Sequence, residues 1–130
     1  MTGSGHLDFD SFAHRHPCSY VIIFDLADDL AAAQLGAIGK CGRKLIMHLV
    51  PAGDYATGLV RTSSTAQFHF RFSAPEDADR FASAMGCTFT EGLNDPATRC
   101  VSFDQRIYDR LRSVAEKPSS GQRTRAARAL

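Results

Sequence analysis

The chain has 130 residues, 44% of them hydrophobic and 22% charged, with a formal net charge of +1. That length suits one domain with its own core, and the composition is that of a soluble globular protein rather than a disordered or fibrous one. So small a net charge excludes a global field for nucleic acid or membrane. The longest apolar run, Val21 to Phe24 with its neighbours, is far too short to span a bilayer.

The charge is unevenly placed. Lys117, Arg123, Arg125 and Arg128 follow residue 116 with no acid among them, so residues 1–116 carry −3. Met1 to Asp10 lack the basic and apolar regions of a secretory signal. Cys18, Cys41, Cys87 and Cys100 are scattered, without a C-x-x-C pair. Four such cysteines do not make a disulfide scaffold, and reduced, mostly buried thiols in a cytoplasmic protein are expected. Three segments result: a polar lead-in over 1–17, a domain over 18–116 and a basic, disordered tail over 117–130.

In chain order, the lead-in is His-rich, with a helical turn around Phe9–Ala13. Ser19 to Leu26 reads as a central strand, rich in β-branched and aromatic residues. Asp25 or Asp28 then opens a helix through Leu30, Ala31, Leu35 and Ile38. Gly36, Gly39 and Gly42 each weaken that helix. Leu45 to Val50 is a second strand, Pro51 to Asp54 a turn, and Tyr55 to Thr62 a further strand.

The clearest unit is the junction that follows. Phe68, Phe70 and Phe72 alternate with Gln67, His69 and Arg71, giving a half-buried strand with one aromatic and one polar face. Ser73 and Glu76 have the spacing of a capping box, and Pro75 suits a first helical turn. Ala78, Phe81, Ala82 and Met85 form one apolar stripe, and Gly86 supplies a left-handed stop. Beyond it, Cys87 to Thr90 begins a strand, Glu91 to Thr98 is a loop, and Arg99 to Phe103 is a short strand. Asp104 caps a last helix whose apolar face holds Ile107, Tyr108, Leu111 and Val114. The order is that of an α+β, ferredoxin-like split βαβ sandwich, βαβ(β)βαβ, with an extra C-terminal helix. Two helices would cover one sheet face, and the last helix or a second subunit the other.

Phe70, Phe72, Pro75, Asp77, Ala78 and Phe81 match an F-x-F-x-x-P-x-D-A-x-x-F pattern. The chain thereby resembles short, uncharacterised bacterial proteins, a resemblance that implies no activity. In topology the junction also looks like the third strand and second helix of an RNA-recognition motif, which stacks bases on sheet aromatics. With Phe72 in the last aromatic position, the stacking positions fall on Gln67 and His69, and the phenylalanines face the core. Ile22 stands where the first strand of that motif carries an aromatic.

Other groupings are weaker signals. His14, His16 and Cys18 would share one face of an extended segment and suit zinc or copper. Three ligands do not close a structural site, so no metal or other cofactor is expected. Lys40, Arg43 and Lys44 among glycines suggest an anion cradle, but the G-x-x-x-x-G-K-[ST] spacing is not met. No G-x-S-x-G or local Cys/His signature points to nucleophilic catalysis, and Cys41 cannot be paired with His48 or His69 from the sequence. The leading expectation is a non-enzymatic binding or assembly module, a homodimer or the partner of another protein. Its contact surface, for a protein or a small anionic ligand, would be the polar sheet face around Gln67, His69 and Arg71. One alternative is nucleic-acid binding through the tail and Lys40–Lys44; another is a small enzyme using His69 or Asp25.

Overall fold

The computed structural model describes residues 6–26, 32–61, 66–92 and 95–116. In chain order the elements are β1 (His6–Leu7), α1 (Phe9–Arg15), β2 (Tyr20–Leu26), α2 (Ala32–Leu49), β3 (Tyr55–Arg61), β4 (Ala66–Phe72), α3 (Pro75–Met85), β5 (Thr90–Gly92) and β6 (Asp95–Ser102). A last helix, α4, spans residues 105–116. The class is α+β, with one mixed sheet of six strands in the order β1-β3-β4-β2-β6-β5. The β1–β3 and β2–β6 pairs are parallel, and the other pairs are antiparallel. From β4 the chain runs through α3 to β5 at the sheet edge. It then turns back, so that β6 lies between β5 and β2.

The Phe alternation does what period two requires. Ala66, Phe68, Phe70 and Phe72 are buried, while Gln67, His69 and Arg71 stand half-buried on the opposite face. The phenylalanines meet Ile22, Phe24 and Leu26 of β2 and the apolar stripe of α3, with Phe70 and Phe81 4.8 Å apart between ring centroids. Ile107, Leu111 and Ala115 of α4 join this same cluster. Of the two covers expected for the His69 face, the last helix or a second subunit, the first is therefore corrected: α4 packs on the opposite face. Its apolar stripe was read accurately, but a stripe does not say which sheet face receives it.

Of the strand expected at Leu45–Val50, residues 45–49 are the end of α2 instead, and Val50 lies just past it. A short apolar run has no period of its own, and here Ile38, Gly39, Gly42, Leu45 and Ile46 form one buried helical face. The glycines are part of that face. A Cβ at Gly39 would lie 2.9 Å from Phe68 Cζ, and one at Gly42 2.2 Å from Phe70 Cε1. Hydrogen at these positions lets the helix backbone settle onto the rings, which offsets the propensity they cost.

The capping box at Ser73 and Glu76 does not form. The N-cap of α3 is Ala74, without a side-chain cap, and Pro75 occupies the first turn. Ser73 instead donates its backbone N–H to Asp54 O at 3.0 Å, and its Oγ lies where a Cβ of Gly53 would stand. Asp77 serves the preceding turn: its buried carboxylate accepts Ala52 N–H at 2.8 Å, Gly53 N–H at 3.0 Å and Arg80 Nη2 at 2.9 Å. Gly86 closes α3 in the left-handed conformation, φ 66°. Asp104 caps α4, its Oδ1 accepting from Ile107 N–H at 2.9 Å.

The loop expected over Glu91–Thr98 contains the end of β5 and the start of β6. Asn94 and Pro96 disguised a hairpin, and Thr90 starts its strand later than Cys87. The helix start at Asp28, the Ser63-Ser64-Thr65 turn and the basic tail from Lys117 lie outside the described residues. Asp25 is no helix cap, since it is paired in β2 opposite Gln67.

Candidate functional site

Strand register places three rows on the face away from α2, α3 and α4. They run Ala56–Arg71–Val21–Thr98, Gly58–His69–Ile23–Cys100–Thr90 and Val60–Gln67–Asp25–Ser102. The expected binding residues Gln67, His69 and Arg71 are thus together, with Asp25 and Cys100 beside them. Lys40, Arg43 and Lys44 are elsewhere: they sit on α2, at spacings of three and four that form one ridge, and belong to a helix rather than to a loop.

The five polar side chains form one directed hydrogen-bond chain. Arg71 Nη2 donates to His69 Nδ1 at 3.3 Å, and His69 Nε2 meets Gln67 Oε1 at 3.0 Å. Gln67 Nε2 donates to Asp25 Oδ1 at 2.9 Å, while Cys100 Sγ donates to Asp25 Oδ2 at 3.0 Å. An arginine has no acceptor, so Nδ1 of His69 must accept and Nε2 must carry the proton. The ring is therefore the neutral Nε2–H tautomer. Burial and then the Arg71 charge push its pKa down to about 4, against a smaller opposing pull from Asp25. Burial, the hydrogen bond to Asp25 and the Asp25 charge push the Cys100 thiol up to about 12. The chain begins on a cation and ends on an anion, and each member between them is neutral.

Half of this face has a cover, and it comes from the first residues of the chain. Asp8 caps α1 by accepting Ser11 N–H at 2.7 Å. Phe12 is buried, and Phe9 lies against Gly58, where a Cβ would come within 2.9 Å of its ring. The Arg71 guanidinium sits 4.0 Å from the Phe9 ring centroid, a cation–π contact. At its far end α1 is held by Asp54, which is 4% exposed. That carboxylate accepts Arg15 Nη1 at 3.2 Å and lies 2.8 Å from His16 Nε2. Burial opposes ionisation of Asp54, but the bonds from His16 and Arg15 outweigh it and hold its carboxyl below the usual range.

The same arrangement separates the three weak metal candidates, His14, His16 and Cys18. The segment before β2 is helical, so His14 and His16 do not share a face as alternate residues of a strand would. His16 is committed to Asp54, and Cys18 is exposed on the chain beyond. No cluster of three or more metal-ligating side chains occurs among the described residues. All four cysteines are free; Cys18 is exposed and Cys41, Cys87 and Cys100 are half-buried, fewer buried thiols than expected.

Over β2 and β6 the polar sheet face grows more exposed toward one end: Ile23 is buried, Asp25 and Cys100 are half-buried, and Thr90 and Ser102 are exposed. At its end lies a cleft of about 440 Å³ lined by Asp25, Thr88, Thr90, Cys100, Val101 and Ser102. A larger cleft, about 780 Å³, lies between the end of α3 and the start of α4. Two of its charged groups are already used: Arg110 donates to Met85 O and Ala84 O, and Asp104 caps α4; Thr88 and Ser102 line both clefts. The smaller cleft alone reaches Asp25 and Cys100 of the polar strip, and is the better candidate.

The sequence pointed to Gln67, His69 and Arg71 together and to Asp25 separately, but not to Cys100 or the α1 cover. The alternation Thr98-Cys100-Ser102 was the available signal for a second polar strand. It is read only once β6 is known to lie beside β2. No protein-family model, curated protein or solved structure matches the chain. Function is therefore argued from geometry.

Proposed function

We propose that the chain is a small binding module that takes its ligand at the exposed end of the sheet face over β2 and β6, in the cleft beside Asp25, and holds it without transforming it. The hydrogen-bond chain carries this reading. A general base needs a free lone pair and a pKa near the working pH, whereas both ring nitrogens of His69 are engaged and the ring is hard to protonate. A thiol nucleophile needs a lowered pKa, whereas that of Cys100 is raised. What remains for chemistry is recognition by Asp25 and the hydroxyls around it. Within this reading β2 to α3 is a ferredoxin-like unit with the β5–β6 hairpin and the β1–α1 cover added. The free thiols fit a reducing, cytoplasmic setting.

A thermal-shift screen of small compounds grouped by charge tests it. At least one class is expected to raise Tm, and to lose that effect in Asp25→Asn and Cys100→Ala. Hits that keep their full effect in both variants, or no hit in any class, would overturn the reading.

The edge of β3 favours self-association as a second reading. Only Tyr55 and Ala56 pair with β1, which leaves Thr57 to Arg61 without a strand neighbour on that side among the described residues. Arg61 is its one charge, and an unguarded edge is a template for pairing. A second copy added antiparallel about Leu59 would set Thr57 against Arg61, with no like charges opposed. Light scattering is expected to show a dimer that Val60→Lys weakens; a monomer at high concentration would refute it.

A further inference from the structure

We propose that the cleft beside Asp25 binds the ammonium group of a small primary amine. The inference rests on the binding-module reading and names the ligand for it.

Charge balance is the first argument. Asp25 is half-buried, and both donors that reach it, the Gln67 amide and the Cys100 thiol, are neutral. No Lys or Arg stands within ion-pair range of it among the described residues. His69, two hydrogen bonds away, is held neutral, and the Arg71 charge at the far end faces Phe9. A carboxylate offers about four acceptor positions, and these contacts use two. The polar strip thus delivers neutral donors to a carboxylate and leaves its charge uncompensated on the cleft side.

The lining is the second argument. Thr88, Thr90 and Ser102 are exposed on the cleft wall. A hydroxyl turns to suit its partner and offers two acceptor lone pairs. Among the described residues that line it, the wall therefore presents one fixed anion, three adaptable acceptors and no cation. Its complement is a compact cation made only of donors. A primary ammonium, with three N–H groups, can give one to Asp25 and the others to hydroxyls. An anion would meet Asp25 directly. A quaternary ammonium has no N–H to donate, and the site lacks the aromatic cage that such ligands use. A volume of about 440 Å³ is within the range of small-molecule sites.

The test is a titration of the full chain followed by amide chemical shifts in two-dimensional NMR. Probes are n-butylammonium, tetramethylammonium, butyrate, calcium and Nα-acetyl-lysine amide. Butylammonium is expected to saturate with shifts centred on Asp25, Thr90, Cys100 and Ser102. Affinity should fall about tenfold or more in Asp25→Asn, corresponding to loss of about 1.4 kcal/mol. Should Asp25→Asn fail to fold, the exposed pair Thr90→Val with Ser102→Ala is expected to weaken binding about threefold to tenfold, as lost hydrogen bonds to a charged group do. Equal response to tetramethylammonium, or response to calcium alone, would overturn the assignment. Tighter binding of the lysine derivative than of butylammonium would overturn the free-amine source. If butyrate maps to these residues and amines do not, the amine inference fails while the binding-module reading stands. If no ligand class perturbs them, both fail.

Discussion

Replacing Gly42 with alanine adds one methyl group to the buried face of α2, 2.2 Å from Phe70 Cε1 and 2.5 Å from Cζ. Carbon atoms in contact settle at about 3.5–4.0 Å, so more than an ångström must be found. Phe70 has no room to supply it: the ring is fully buried, with Phe24 and Phe68 at 5.2 Å and Phe81 at 4.8 Å between centroids. The helix must lift from the sheet, at an overpacking cost of about 1–3 kcal/mol or somewhat more. Alanine returns about 1 kcal/mol of helix propensity, so the net loss expected is about 1–2 kcal/mol. Gly36→Ala is the internal control, since nothing stands within 4 Å of its added Cβ. It should keep the propensity gain, about 0.5–1 kcal/mol. Gly39→Ala should fall between them, because its obstacle is the tip of Phe68. Urea unfolding followed by circular dichroism reads all three, with about 3–5 °C in Tm for each kcal/mol. If Gly42→Ala stabilises as Gly36→Ala does, α2 is not seated on the Phe strand and the account of its glycines is wrong.

Three further expectations concern titration and the turn before β3. His69 has its pKa lowered from 6.5 to about 4, so its neutral form contributes stability that is whole above pH 6.5 and lost as pH falls toward 4. At about 1.4 kcal/mol per unit, screened at a half-buried site, this amounts to about 1–2 kcal/mol. His69→Gln should flatten the loss of unfolding free energy between pH 7 and 4.5, and an unchanged slope would reject the shift. Asp77→Ala strips the acceptors from two backbone N–H groups and from Arg80, and should cost about 2–4 kcal/mol in chemical denaturation; a loss below 1 kcal/mol would mean water replaces the carboxylate. Val50, 73% exposed, holds a positive φ of 54°, which costs a β-branched residue about 1–2 kcal/mol. Val50→Gly should therefore raise Tm, and a fall would show that its side chain does more than it does in the isolated chain.

Much of the local structure could be read from the residues alone. The Phe alternation, the α3 stripe, the Gly86 stop and the Asp104 cap each depend on neighbours a few positions away, and each occurs as the spacing predicts. The failures share a cause. The stretch from Leu45 to Leu49 belongs to α2, a helix whose Gly39 and Gly42 face Phe68 and Phe70, nearly thirty positions on, and no local pattern records that approach. Ser73 does not cap α3; its backbone N–H bonds Asp54 O and its Oγ lies beside Gly53, contacts made to a turn some twenty positions back.

The candidate site divides in the same way. Period two by itself determined that Gln67, His69 and Arg71 share a polar face, and the alternation of large rings with polar groups left no other register that buries the rings. Only the tertiary structure decided what that face meets. It set Asp25 and Cys100 in the neighbouring strands, laid Phe9 over Arg71, and sent α4 to the opposite side. Those choices depend on which strands adjoin and which apolar stripe fills which side of the sheet. They are fixed by burial summed over the whole core, which no single segment carries.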